Sequence, residues 1–236
     1  MIQAIFETVF DVVYLFGVMM AGLFLVQQGK DPLVKKFGLM AILLGAGDAF
    51  HLVPRVLALW TTGLEANAAA LGIGKLITSI TMTVFYLILY FIWRERYHIE
   101  GRKGLTWAMW ILTAARIVLS LLPQNEWLSY QQPLLYGVLR NIPFAIMGMM
   151  IIWLFWQETH KANDPVFRFM PLAVLLSFGF YIPVVLFGSV VPPIGMLMIP
   201  KTLAYVWVVW MGWTLHKAAL KDPEDFSTQR KKSGST

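Results

Sequence analysis

Seven apolar runs, each near the ~20 residues that a bilayer crossing requires, predict an all-α integral membrane protein, a bundle of seven transmembrane helices. Two further observations predict the same class. Of 236 residues, 58% are apolar and 14% charged, where a soluble domain is about half apolar and about a quarter charged. Lysine and arginine also gather in alternate loops, the signature of a chain that a membrane has oriented.

The spans are read at 3–27, 37–60, 71–93, 105–122, 134–157, 166–189 and 194–216. Breakers separate them: Gly29 with Asp31-Pro32, Gly63, Gly101 with Gly104, Pro123, Asp164-Pro165 and Pro192-Pro193. The first loop carries Lys30, Lys35 and Lys36, and the third Arg94, Arg96, Arg102 and Lys103. The fifth carries Lys161 and Arg168, and the tail Lys217, Lys221, Arg230, Lys231 and Lys232. The second, fourth and sixth loops carry none. That alternation predicts an amino terminus outside and a carboxyl terminus in the cytoplasm, in a multi-pass protein of the plasma membrane. Many of the ten Trp residues fall near span ends, as an aromatic belt does. The organisation expected is one transmembrane domain, 1–217, and a polar cytoplasmic tail, 218–236. Met1 to Phe6 holds no Lys or Arg, so the first span is read as a helix and not as a cleaved signal. The chain has no cysteine, which excludes disulfides and thiolate chemistry. Its net charge of +6 orients the chain and gives no reason to expect nucleic acid.

The first three spans resemble the last three. KFGLMAILLGAG, Lys36 to Gly47, aligns with RFMPLAVLLSFG, Arg168 to Gly179. Gly17, Met19, Leu23 and Phe24 fall opposite Gly148, Met150, Leu154 and Phe155, and Ile73, Gly74, Leu76 and Thr81 opposite Ile194, Gly195, Leu197 and Thr202. The expected plan is a 3+1+3 parallel repeat, 1–93 and 134–216 with 105–122 as the linker helix, which resembles that of the SWEET sugar transporters. The Pro-Gln marks of that family's first and fifth helices are absent.

Eight charged residues lie inside the spans: Glu7, Asp11, Asp48, Arg55, Lys75, Arg116, Arg140 and Lys201. Each would cost roughly 2.5–3.5 kcal/mol facing lipid at a helix centre, on the order of 20 kcal/mol together, so they must face the interior and find partners. With ~1.5 Å of rise per residue, all fall toward the outer ends or mid-membrane. Asp48, His51 and Arg55 share a face of the second helix at i, i+3 and i+7, and Glu7, Asp11 and Tyr14 share one on the first. Asn141, Tyr181 and Tyr205 add polar groups at similar depth. Five cations against three acids predict an outward-facing cationic pocket that takes a small anionic or zwitterionic solute, or a lipid headgroup.

Asp48 with His51 has the spacing of two metal ligands, but His98, His160 and His216 lie at the other ends of their spans, so no metal is expected. Lys201 on a seventh helix resembles the Schiff-base lysine of rhodopsins, yet Lys75 stands where a carboxylate counter-ion belongs, and no cofactor is expected. Asp48 is instead read as orienting His51. Gly47-Asp48-Ala49-Phe50-His51-Leu52-Val53-Pro54-Arg55 resembles a Gly-Asp-Ala-x-x-Leu-x-Pro-Arg segment of the YhhN/lysoplasmalogenase family, membrane enzymes that hydrolyse the vinyl-ether bond of lysoplasmalogens. The resemblance spans nine residues; it implies Asp48 as acid/base and cations that hold a lipid phosphate. Two functions follow: binding or transport of a solute entering from outside, and hydrolysis of an ether lipid with Asp48 and His51 as the acid/base pair. Oligomeric state is not legible in the chain.

Overall fold

In the computed structural model, which describes residues 2–188 and 190–221, seven α-helices make up most of the described residues: α1 Ile2–Gln28, α2 Pro32–Trp60, α3 Ala68–Arg96, α4 Lys103–Leu121, α5 Leu134–Lys161, α6 Met170–Phe187 and α7 Met198–Lys221. Short 3-10 turns at Pro123–Asn125 and Pro192–Leu197 precede α5 and α7. All seven helices are long and apolar enough to cross a bilayer, and no strand occurs among the described residues. The exposed face of α1, Val9, Val12, Val13, Phe16 and Met20, shows where lipid would lie.

The helix ends depart from the expected spans for local reasons. α2 begins five residues early because Asp31 caps it, its Oδ1 accepting from the Leu33 amide at 2.7 Å, with Pro32 in the first turn. α6 begins late because Asp164 holds residues 164–169 in a turn, its Oδ1 accepting from the amides of Val166 and Phe167 at 2.9 and 3.3 Å. α7 runs on to Lys221, so the first residues assigned to a polar tail are helical. The rest of that tail, 222–236, lies outside the described residues, as does Ser189.

Glycines set the closest approaches in the first half of the bundle. A Cβ at Gly22 of α1 would meet the Gly38 carbonyl of α2 at 3.0 Å, and one at Gly74 of α3 would meet the Phe50 carbonyl of α2 at 2.2 Å. Without a hydrophobic force between helices in lipid, such close backbone contact is what holds them. α3 packs on α2, α4 and α5 and buries Phe85, Tyr86, Tyr90 and Trp93 completely. α4 packs only on α3 and α5 among the helices, outside a ring formed by the other six.

The end of the bundle that bears the basic loops is sealed by charge. Arg96 Nε donates to Asp164 Oδ2 at 2.9 Å and Tyr97 donates to the same oxygen at 3.1 Å, all three residues buried. Lys36 of α2 pairs with Glu95 of α3. Burial, with the Asp164 charge second, pushes the Tyr97 phenol above its ordinary value.

Candidate functional site

The opposite end holds the polar cluster, in three connected parts. Between α1 and α2, Arg55 Nε and Nη2 donate to the two carboxylate oxygens of Glu7 at 3.0 and 3.3 Å. About two helical turns deeper, the Tyr14 phenol donates to Asp48 Oδ2 at 2.6 Å. Asp11, between those pairs on α1, is 7% exposed, and no cationic side chain among the described residues lies within 4.0 Å of its carboxylate.

The second part joins α5 to the turn before it. Asn125 is fully buried; its Nδ2 donates to the carbonyls of Leu119, Ser120 and Leu122, tying off α4. Its Oδ1 accepts from Arg140 Nη1 at 2.7 Å, and the Arg140 guanidinium lies over the Trp127 ring, 4.2 Å from its centroid. Trp127 in turn presses its carbonyl against Gly72 of α3, where a Cβ would come within 1.4 Å, so only glycine admits it. One residue on, Asn141 accepts from the Tyr181 phenol at 3.0 Å.

The third part lies among aromatic rings of α3, α5, α6 and α7. The Lys201 ammonium, on a residue 6% exposed, sits over the rings of Tyr181 and Tyr205 at 4.9 and 5.3 Å. Arg116 of α4 is 2% exposed and stacks on Phe144 at 3.4 Å. Tyr86 donates to or accepts from Ser177 at 3.1 Å and packs edge-on against Tyr205 and Phe144. Coulombic reach links the parts: Lys201 with Asp48, Lys75 with Arg55 and Arg140, and Arg116 with Arg140.

Charge within the cluster is left unmatched. Glu7 with Arg55 is the one ion pair among the eight charged residues; Lys75, Arg116, Arg140 and Lys201 have no carboxylate within 4.0 Å among the described residues. Arg116 is the extreme case, since its Nε and Nη1 are sealed from solvent with no acceptor. The hydroxyls of Thr113 and Ser120, on the same buried stripe of α4, also lack partners.

Several expectations change in detail. Asp48 does not orient His51: its bond runs to Tyr14, and His51 Nδ1 is buried without a partner. Residues three apart on a helix diverge by about 60°, enough to send Asp48 toward α1 while His51 sits where α2 meets Gly74 of α3. Lys75 is exposed near the start of α3 and not enclosed with the others. Asn125 and Trp127 are members that sequence reasoning passed over, whereas Tyr14 shares the face of α1 expected for it and takes Asp48 as its partner. Asn125 and Trp127 read there as loop residues; the signal was an asparagine and a tryptophan just after a helix-ending proline. Among the described residues no three His, Asp or Glu side chains gather as metal ligands.

No family model, curated protein or solved structure matches the chain.

Proposed function

We propose that this chain is a multi-pass protein of the plasma membrane, amino terminus outside, that binds and transports a small anionic or zwitterionic solute through the polar cluster. The observation that carries this reading is Arg116, a buried guanidinium with two N–H groups and no acceptor. The penalty for such a charge is several kcal/mol, of which a desolvated cation–π contact offsets about 2 kcal/mol. An anion seated on it would remove the rest, and Lys201 and Arg140 would add attraction without losing an existing carboxylate partner. Asp48 and Asp11, neither paired with a cation, could receive the ammonium of a zwitterion.

The pattern of neighbours supports the 3+1+3 repeat. α1 packs on α2 and α2 on α3, as α5 packs on α6 and α6 on α7; α3 touches α5 as α7 touches α1, with α4 outside. The Arg96–Asp164 and Lys36–Glu95 pairs favour a conformation closed toward the basic end, which positive-inside orientation makes the cytoplasm.

The test is thermal unfolding of the purified chain with acetate, phosphate and glycine as probes. At least one should raise the Tm of the native chain, and Arg116→Met should abolish that rise. The Arg116→Met chain without probe should be at least as stable as the native one, because methionine replaces an uncompensated charge. A retained rise, or strong destabilisation of the variant, would refute the reading.

One observation favours a second reading, an ether-lipid hydrolase. Asp48 is held by a phenol while the adjacent His51 keeps a free, buried nitrogen, both on the segment that resembles the lysoplasmalogenases. Asp48→Asn would then abolish turnover of a lysoplasmalogen and leave its binding intact; a transporter would lose coupling or affinity and show no turnover at all.

A further inference from the structure

At the basic end, far from this cluster, a groove of about 880 Å³ runs between α3 and the first half of α4. The buried stripe of α4 is Met109, Thr113, Arg116 and Ser120, so the helix turns Trp107, Trp110, Ile111 and Ala114 outward. Trp107 is 68% and Ile111 62% exposed, which in a bilayer means contact with lipid. The head of the groove is cationic. Among the described residues Arg94 donates only to neutral oxygens, to the hydroxyls of Thr106 and Tyr90 at 2.5 and 3.4 Å and to the carbonyls of Ile99 and Gly101 at 2.8 and 3.0 Å. Those bonds fix the guanidinium in place and leave its charge uncompensated. Lys103 is exposed at the same rim and has no side-chain hydrogen bond or ion pair among the described residues.

The neighbouring pocket of about 550 Å³ differs in charge: it holds Lys36 already paired with Glu95, and Glu100 besides. The α3–α4 groove contains no acid. From Lys103 to Ala114 it extends ~16 Å along the helix, close to the ~15 Å depth of one leaflet of hydrocarbon. A polar head of one sign therefore sits above an apolar trough one acyl chain long.

We propose that this groove binds one phospholipid with an anionic headgroup, its phosphate at Lys103 beside Arg94 and an acyl chain along Trp107, Trp110 and Ala114. Basic pockets between helices at the membrane surface recognise anionic lipids by this combination. The continuity of head and trough selects a lipid over a free phosphate, which would use the rim alone. The inference is independent of what the polar cluster binds.

The experiment uses the full chain in phosphatidylcholine vesicles that contain, at equal fraction, phosphatidylglycerol or phosphatidylcholine with brominated chains, and reads quenching of tryptophan fluorescence. Brominated phosphatidylglycerol should quench more than brominated phosphatidylcholine. The excess should vanish in the W107F/W110F chain, which locates it to this groove among the ten tryptophans. Lys103→Gln should weaken apparent affinity for the anionic lipid about fivefold, the factor equivalent to the ~1 kcal/mol of one basic residue at the surface. Because Lys103 is exposed and unpaired, that variant should keep the native circular dichroism. Equal quenching by the two lipids, an excess untouched by Lys103→Gln, or displacement by soluble glycerol phosphate would each overturn the proposal.

Discussion

Replacing Asp164 by asparagine should destabilise the bundle more than any other single isosteric change at the basic end. The side chain is 2% exposed and that of its partner Arg96 is 9% exposed, so both charges are out of water. Its two oxygens accept four bonds, from Arg96, Tyr97, Val166 and Phe167. Asparagine keeps one acceptor and turns the other into a donor, which must then face either the Arg96 and Tyr97 donors or two backbone amides. Breaking a buried pair from one side costs about 3–5 kcal/mol, because the surviving charge stays buried. The Phe167 ring, 5.5 Å from the Arg96 guanidinium, gives only partial relief. The R96M/D164N double variant removes the buried Arg96 charge as well and should recover about 2 kcal/mol. Reversible unfolding of the purified chain in mixed micelles, followed by circular dichroism, measures all three. A loss under about 1 kcal/mol for Asp164→Asn, or no recovery in the double variant, would show that the pair is not buried as described.

Two further outcomes are expected. Single cysteines at Asn67, Ser129 and Ser189 should react with an impermeant thiol reagent added outside, and those at Gly101 and Ser233 should not; the reverse pattern would invert the orientation and put the polar cluster on the cytoplasmic side. Tyr97 has its phenol raised in the folded chain by burial and by Asp164, whereas an unfolded tyrosine titrates near its ordinary value of about 10. Above that value the unfolded chain binds fewer protons than the folded one, so stability present at neutral pH declines by up to ~1.4 kcal/mol per pH unit. Tyr97→Phe should make the alkaline decline shallower by that amount, measured between about pH 9 and about pH 12; an unchanged slope would count against the buried phenol.

Element number and kind were legible because each span is a long apolar run, and length against bilayer thickness admits few alternatives. The start of α6 was not, because hydropathy cannot register that Asp164 captures two amides and delays the helix by a turn. At the polar cluster, depth was legible from rise per residue, which assigned Glu7, Arg55, Lys201, Tyr181 and Tyr205 to the same end of the bundle. Partner choice was not. Asp48 lies as near His51 in sequence as a helix face allows, yet bonds to Tyr14 on another helix, a contact set by glycine-mediated packing of α1 on α2. Asn125 escaped notice for a related reason: its role depends on three carbonyls left open where α4 ends, and those exist only once the helix is built.

The bonds that close the basic end differ greatly in the span of chain they join. Arg94 reaches Ile99 and Gly101 five and seven positions away, so these bonds need no residue beyond the α3–α4 loop. Arg96, two residues further on, has its acceptor 68 positions downstream. This bond therefore cannot form until the chain has been made through Asp164. The seal of the basic end thus joins the two halves of the sequence, and a chain that stops before residue 164 lacks the acceptor on which it depends.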